Sequence, residues 1–90
     1  MSTVRIPPTF RAATGGAKVI EVAGSTVREV LDGLVSAHPP LAAQLFDPEG
    51  RLNRFVNVFV NDTDVRYLNL LDTKVEDRDR VLLLPAMAGG

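Results

Sequence analysis

A chain of 90 residues, of which 46% are hydrophobic and 23% charged, has the size and composition of one folded globular domain and leaves no room for a second. Ten basic and eleven acidic residues give a formal net charge of −1, which argues against binding to nucleic acid or to an anionic membrane surface. The absence of cysteine excludes disulfides, thiolate metal sites and a cysteine nucleophile within the chain.

The first two predicted elements are strands that form a hairpin. Residues 3–11 alternate in polarity, and the side chains of one parity would face the core: Val4, Ile6 and Phe10. Pro7 and Pro8 lie inside this strand, and because proline cannot donate a sheet hydrogen bond, the pairing there should be partial. Thr14-Gly15-Gly16 predicts a turn, and residues 17–22 predict the second strand, whose inward side chains we assign as Ile20 and Val22.

A helix is predicted to begin after Thr26, because Thr26 and Glu29 have the spacing of a capping box. Its apolar residues recur every three or four positions and form one stripe: Val27, Val30, Leu31, Leu34 and Val35. Pro39-Pro40 should end the helix near His38, since proline cannot continue it. One further helical turn can follow before a surface loop at residues 47–53.

The third predicted strand covers residues 55–60, where three valines alternate with bulkier or polar residues. We assign Val56, Val58 and Val60 to the core, which leaves Phe55 and Phe59 on the open face of the sheet. A turn at residues 61–64 and a short return strand at residues 65–67 should follow. An irregular stretch would then carry four apolar side chains into the core: Leu68, Leu70, Leu71 and Val75.

The final strand is predicted at Val81 to Leu84, where four consecutive branched apolar residues indicate burial on both faces. Such a strand belongs at the centre of a sheet, with the first strand as its parallel partner. The order of elements predicts an α+β protein with a mixed four- to five-stranded sheet and one main helix on one face, which is the β-grasp plan. We expect a single domain of residues 1–90, with residues 85–90 as a flexible tail.

The chain ends in Gly89-Gly90, and this end has the properties of a substrate. Two residues without a Cβ let a partner enclose the backbone in a narrow channel and reach the carboxyl carbon of Gly90. An ordinary frayed terminus is the alternative interpretation. The apolar run from Val81 to Ala88 is too short to span a membrane, and no signal-peptide pattern is present, so we expect a cytoplasmic protein that does not bind membranes.

Residues suited to catalysis are scarce, so we expect no catalytic residue, no metal site and no cofactor of the chain's own. His38 is the single histidine and precedes the proline stop, which favours a structural role. Asp62, Asp64 and the acidic residues at 76–79 lack the spacing of a calcium loop and stand where turns favour carboxylates. The chain is therefore predicted to be a partner or substrate of enzymes rather than an enzyme.

Two segments resemble the hallmarks of a known family: Arg-Phe-Val-Asn-Val-Phe-Val-Asn-Asp at residues 54–62 and Leu-Pro-Ala-Met-Ala-Gly-Gly at residues 84–90. On these motifs the chain is similar to the ubiquitin-like sulfur-carrier family, which includes the small subunit of molybdopterin synthase and the thiamin-pathway carrier. The resemblance covers nearly the whole chain. It is closest to the branch that serves cysteine synthesis in actinobacteria.

The resemblance implies that an E1-like adenylyltransferase and sulfurtransferase uses ATP to activate Gly90 and convert it to a thiocarboxylate. In the cysteine branch it implies two further partners, a cysteine synthase that depends on pyridoxal phosphate and a zinc peptidase of the JAMM type. Met87, Ala88 and Gly89 would be recognised as the tail, while Phe55 and Phe59 would dock the body. Two other functions stay open: the small subunit of a molybdopterin synthase, and a ubiquitin-like modifier joined to lysines of target proteins.

Overall fold

The computed structural model describes residues 1–86 of the chain. Within these residues five strands form one sheet: β1 (Ser2–Arg5), β2 (Val19–Val22), β3 (Val56–Val60), β4 (Thr63–Asp64) and β5 (Arg80–Pro85). The two α-helices of this part of the chain are α1 (Val27–Ala37) and α2 (Ala42–Leu45). Short 3-10 segments occupy Pro8–Thr14, Pro39–Leu41, Val65–Tyr67 and Leu70–Asp72.

The strands are ordered β2-β1-β5-β3-β4, so the last strand of the sequence is the central strand of the sheet. β5 pairs with β1 in parallel, with Val4 beside Val81. On its other edge β5 pairs with β3 in antiparallel orientation, with Val58 beside Leu83. The predicted central position of the last strand and its parallel pairing with the first strand are both confirmed.

One face of the sheet and the apolar stripe of α1 enclose the core. The valines of β3 that were assigned to the inside are buried, with exposed fractions of 0% for Val56 and Val58 and 7% for Val60. The helix contributes four fully buried side chains to the same core: Val27, Val30, Leu31 and Leu34. Burying each such aliphatic side chain stabilises the fold by about 1.5–3 kcal/mol. The predicted inward faces of β3 and of the helix are therefore confirmed.

α1 begins and ends where the sequence predicts. The Thr26 hydroxyl accepts a hydrogen bond from the backbone N–H of Glu29 at 3.2 Å. The Glu29 carboxylate accepts from the backbone N–H of Ser25 at 3.0 Å, one residue before the position that a capping box prescribes. The helix ends at Ala37, before Pro39-Pro40, and Leu41 and Leu45 from the next turn are buried.

Two predicted strands are shorter or shifted. The first strand ends at Arg5 rather than extending to residue 11, because Pro7 and Pro8 cannot donate to the sheet and a 3-10 segment begins at Pro8. Phe10 still reaches the core from that segment, with 8% exposure. The return strand after β3 is Thr63–Asp64 rather than residues 65–67, because the Asp64 side chain caps the 3-10 segment Val65–Tyr67 by accepting from the N–H of Arg66.

Two burial predictions were wrong. β5 is not buried on both faces: Val81 and Leu83 are fully buried, but Leu84 is 38% exposed, because the core covers the inner face of the sheet and the outer face keeps contact with solvent. In the stretch before β5, Leu71 and Val75 are buried as predicted. Leu68 and Leu70 are 45% and 50% exposed, since the 3-10 turns there direct these side chains outward.

Candidate functional site

The place where the tail leaves the sheet is defined by two contacts. Pro85, the last residue of β5, pairs with Val56 at the start of β3. The N–H of Ala86 then donates to the carbonyl oxygen of Phe55 at 2.8 Å. We call Pro85 and Ala86 the tail root. The predicted site residues Met87, Ala88, Gly89 and Gly90 lie outside the described residues, so their roles in tail recognition and sulfur attachment stay predictions.

The outer face of the sheet presents apolar side chains beside the tail root. Phe59 of β3 lies next to Leu82 of β5 across the pairing of the two strands, and Asn57 lies next to Leu84. Phe59 and Leu82 are partly exposed and Leu84 is 38% exposed. We call four residues the open face: Asn57, Phe59, Leu82 and Leu84. They include a contiguous apolar area that a binding partner can cover.

Phe55 and Phe59 were both predicted to dock partners, and the structure gives them different surroundings. Phe59 is held in the middle of β3 within the open face and is partly buried. Phe55 directly precedes β3, is 50% exposed and offers its carbonyl oxygen to the tail root. The guanidinium carbon of Arg54 lies 4.9 Å from the centre of the Phe55 ring, which is a cation–π contact.

Arg66 is a residue that the sequence analysis missed. β4 has two residues and pairs only with Phe59 and Val60, so it does not reach the first half of the outer edge of β3. The Arg66 guanidinium occupies that edge instead, where Nη2 donates to the carbonyl oxygen of Val56 at 3.0 Å and Nη1 donates to the side chain of Asn57. The signal in the sequence was a predicted return strand shorter than its partner, which leaves backbone carbonyls unpaired.

Asp47 shapes the loop that leads to Phe55 and β3. Its Oδ1 atom accepts hydrogen bonds from the backbone N–H groups of Glu49 and Arg51, both at 2.9 Å. The hydrogen bond from the Arg51 N–H, together with that from Glu49 and the nearby Arg51 guanidinium, holds the pKa of Asp47 below its ordinary value although desolvation opposes this. The charged carboxylate therefore stabilises the loop that positions Arg54 and Phe55.

Two of the acidic residues considered for metal binding, Asp64 and Asp79, have structural roles. Asp64 caps a 3-10 segment, and the Asp79 carboxylate accepts from the N–H of Glu76 and from the side chain of Asn61. Residues 1–86 contain no group of three His, Cys, Asp or Glu side chains placed to hold a metal ion. In the same residues, no helix has the length and hydrophobicity needed to cross a membrane.

These features define a class of protein. A mixed five-stranded sheet with a parallel pair at its centre, one long helix against its inner face and a tail leaving the central strand is the β-grasp fold of ubiquitin-like proteins. The family model described as "ThiS family" matches residues 4–90. The chain therefore belongs to the ThiS family.

Similar proteins agree with this assignment. The chain is 43% identical to the sulfur carrier protein CysO of Mycobacterium tuberculosis (strain ATCC 25618 / H37Rv) over 90 residues, which cover 98% of this chain and 97% of the relative. It matches a chain in the crystal structure of the Amycolatopsis orientalis BexX/CysO complex with a TM-score of 0.92 and 46% identity, covering all of both chains. It also matches the solution structure of the small archaeal modifier protein 1 from Methanosarcina acetivorans, with a TM-score of 0.85, 27% identity and coverage of 99% and 95%.

Proposed function

We propose that this protein is a sulfur carrier in cysteine biosynthesis, and that it acts as a protein co-substrate rather than as an enzyme. The observation that carries the proposal is the 43% identity, over nearly the full length of both chains, to a protein named as the sulfur carrier CysO. The Gly89-Gly90 end supports it, because a terminus without side chains fits a narrow active-site channel.

The chemistry centres on the carboxyl group of Gly90. An α-carboxylate, with a pKa of roughly 3.3–3.7, is anionic at neutral pH and is a poor electrophile until it carries a leaving group. An E1-like enzyme joins one carboxylate oxygen to the α-phosphorus of ATP and releases pyrophosphate. Sulfide (HS⁻) from the donor then attacks the acyl carbon, the acyl–oxygen bond to AMP breaks, the sulfur loses its proton, and Gly90 carries a thiocarboxylate.

The thiocarboxylate sulfur is a nucleophile that a second enzyme can use. In our proposal it attacks an aminoacrylate held by a cysteine synthase that depends on pyridoxal phosphate, and a JAMM-type zinc peptidase releases the cysteine after rearrangement to an amide. The metal and the cofactors belong to these partner enzymes. In our proposal, all of these reactions take place in the cytoplasm. The carrier contributes the tail and a surface that each partner recognises.

Recognition is divided between the body and the tail. We propose that Phe59 on the open face and Phe55 beside the tail root contact the partner enzyme and dock the body. The tail residues Met87, Ala88 and Gly89 are bound inside the partner's active-site channel. The four residues after Ala86 span at most about 14 Å when extended, since each residue adds about 3.3–3.6 Å. An active site within that distance of the docked body can therefore reach Gly90.

Mass spectrometry of the intact chain tests the proposal. After incubation with its E1-like activating enzyme, ATP and a sulfur source, the chain should gain the mass of one oxygen-to-sulfur exchange. Samples without ATP should keep the original mass. An unchanged mass in the complete reaction, under conditions in which the enzyme loads an established carrier, would contradict the proposal.

A second candidate function is a ubiquitin-like modifier, in which Gly90 is joined to lysines of other proteins. The structural similarity to the archaeal modifier protein from Methanosarcina acetivorans favours it. Covalent adducts of higher mass in cells, absent when Gly90 is deleted, would support this function. Thiocarboxylate formation without such adducts would exclude it.

A further inference from the structure

A groove of about 430 Å³ lies between the start of α1, the loop at residues 47–54 and the segment at residues 66–72. Four arginines line it: Arg28, Arg51, Arg54 and Arg66. We call it the arginine groove. It is separate from the open face, because Phe59, Leu82 and Leu84 do not line it. Four cations around one groove are notable in a chain whose formal net charge is −1.

Two of these arginines already have partners. Arg51 forms ion pairs with Glu49 and with Asp47, the latter at 3.4 Å. Arg66 bonds to the edge of β3 and lies 3.8 Å from the Asp64 carboxylate. Within residues 1–86, Arg28 and Arg54 take part in no ion pair, and both side chains are exposed. The groove therefore presents two guanidinium groups that are available to an anionic ligand.

An apolar side chain stands beside these charges. Leu70 lines the groove, is 50% exposed and has a φ of 51°, a left-handed backbone conformation that is unfavourable for a residue with a Cβ. The turn is held by the Thr73 hydroxyl, which accepts from the N–H of Asn69, and by the N–H of Thr73, which donates to the Leu70 carbonyl. The structure thus maintains a strained turn that presents a leucine to solvent.

The arginine groove adjoins the tail root. The carbonyl oxygen of Arg54 accepts from Arg66, and the carbonyl oxygen of the next residue, Phe55, accepts from Ala86. A protein that encloses the tail is therefore brought close to the groove. Arginine is also enriched among the energetically dominant residues of protein interfaces.

We propose that the arginine groove binds an acidic segment of the enzyme that activates the tail, with carboxylates at Arg28 and Arg54 and an apolar side chain over Leu70. This inference rests on the proposed function. The groove fits a peptide better than a nucleic acid, because the exposed Leu70 offers an apolar contact that a peptide side chain can cover and a phosphate cannot. Within residues 1–86 its lining contains no aromatic ring on which a base could stack.

The affinity of the chain for the activating enzyme, measured by isothermal titration calorimetry, tests the proposal with three variants. Arg28→Glu should weaken binding about tenfold, because it places a charge of the wrong sign against the partner's carboxylates. Leu70→Gly should weaken it roughly fivefold while the chain stays folded, since glycine accepts the positive φ and only the exposed side chain is lost. Arg78→Glu is the matched control, an equal charge reversal in the exposed turn before β5, and its affinity should stay within about twofold of wild type.

Thermal unfolding of each variant confirms that a loss of affinity is not a loss of fold. The proposal is overturned if Arg28→Glu and Leu70→Gly bind like the wild type, or if Arg78→Glu loses as much as Arg28→Glu, which would indicate general charge attraction. Mass spectrometry of the wild type reports on the proposed function separately, because sulfur loading can succeed while the variants show no effect.

If the wild type is not activated at all, the proposed function fails. Binding of an acidic peptide to the arginine groove is then measured directly by nuclear magnetic resonance. A synthetic peptide of alternating glutamate and leucine should shift the amide signals of Arg28, Arg54 and Leu70, with weaker shifts at high salt. Absence of these shifts, or shifts produced by a single-stranded oligonucleotide instead of the peptide, would overturn the inference.

Discussion

At the scale of single residues, the Arg66 side chain makes hydrogen bonds to the part of the β3 edge that the short strand β4 does not cover. β4 ends after two residues, and the guanidinium group of Arg66 binds the carbonyl oxygen of Val56 and the side chain of Asn57 on the edge that β4 leaves uncovered. A planar group with several donors can serve both acceptors at once, whereas an ammonium group offers a single point of charge. Arg66 also closes the edge of the sheet against pairing with another chain.

Arg66→Met tests this role. Methionine keeps much of the apolar stem but removes every donor, so we expect a loss of about 1–2 kcal/mol in the free energy of unfolding. Arg66→Lys should lose less than Arg66→Met, because one donor can still reach the Val56 carbonyl. Urea unfolding measures both variants, and equal stability of Arg66→Met and the wild type would show that the edge does not need the guanidinium.

At the scale of elements, β3 places core residues on one face of the strand and a proposed docking residue on the other. Val56, Val58 and Val60 are buried against the helix side, and Phe59 between them belongs to the open face. The spacing of side chains on a strand is two residues, so a shift of register by one residue would exchange these faces. The five pairs between β3 and β5, from Val56 beside Pro85 to Val60 beside Val81, hold the register.

Val58→Ala and Phe59→Ala should therefore have opposite consequences. Val58 is fully buried, and its truncation should lower the free energy of unfolding by about 2–3 kcal/mol while leaving the affinity of the folded molecule for the activating enzyme unchanged. Phe59 is partly exposed, so its truncation should cost less than the roughly 3–5 kcal/mol typical of a buried phenylalanine and should weaken that affinity. Urea unfolding and calorimetric titration of both variants measure the two quantities, and the reverse pattern would place the docking surface elsewhere.

At the scale of the whole molecule, the folded body and the tail are separate in sequence. Within residues 1–86, every residue of the buried core lies between Val4 and Leu83, and the last contact with the sheet is made by Ala86. The central strand thus carries the chain from the core directly to the tail root. We therefore expect that the stability of the body and the proposed chemistry at Gly90 can be changed independently.

Deletion of Gly89 and Gly90 tests that independence. Because these residues follow the last contact in the described part of the chain, we expect a change in the free energy of unfolding of less than about 0.5 kcal/mol. Sulfur loading should disappear, since the activated carboxyl group is gone. Circular dichroism on heating and mass spectrometry report on the two effects, and a clear fall in the melting temperature would mean that the end of the chain is packed against the body.

Local periodicity was enough to predict much of this protein. The apolar residues of α1 recur every three or four positions, and the inward valines of β3 recur every two. The prolines that end α1 also act within a few positions of where they stand. The central position of β5 followed from its apolar run, and the Gly-Gly end and the strand motif indicated the family. These signals need no knowledge of distant parts of the chain.

The tertiary structure decided which surfaces are covered. Leu84 is exposed although its strand is apolar throughout, because burial depends on what crosses each face of the sheet and the strand's own sequence does not encode that. Arg66 looked like an ordinary surface residue, because its acceptor on Val56 is ten positions away and becomes a neighbour only when the sheet forms. Arg28, Arg54 and Leu70 come from three separate segments, and packing alone brings them around one groove.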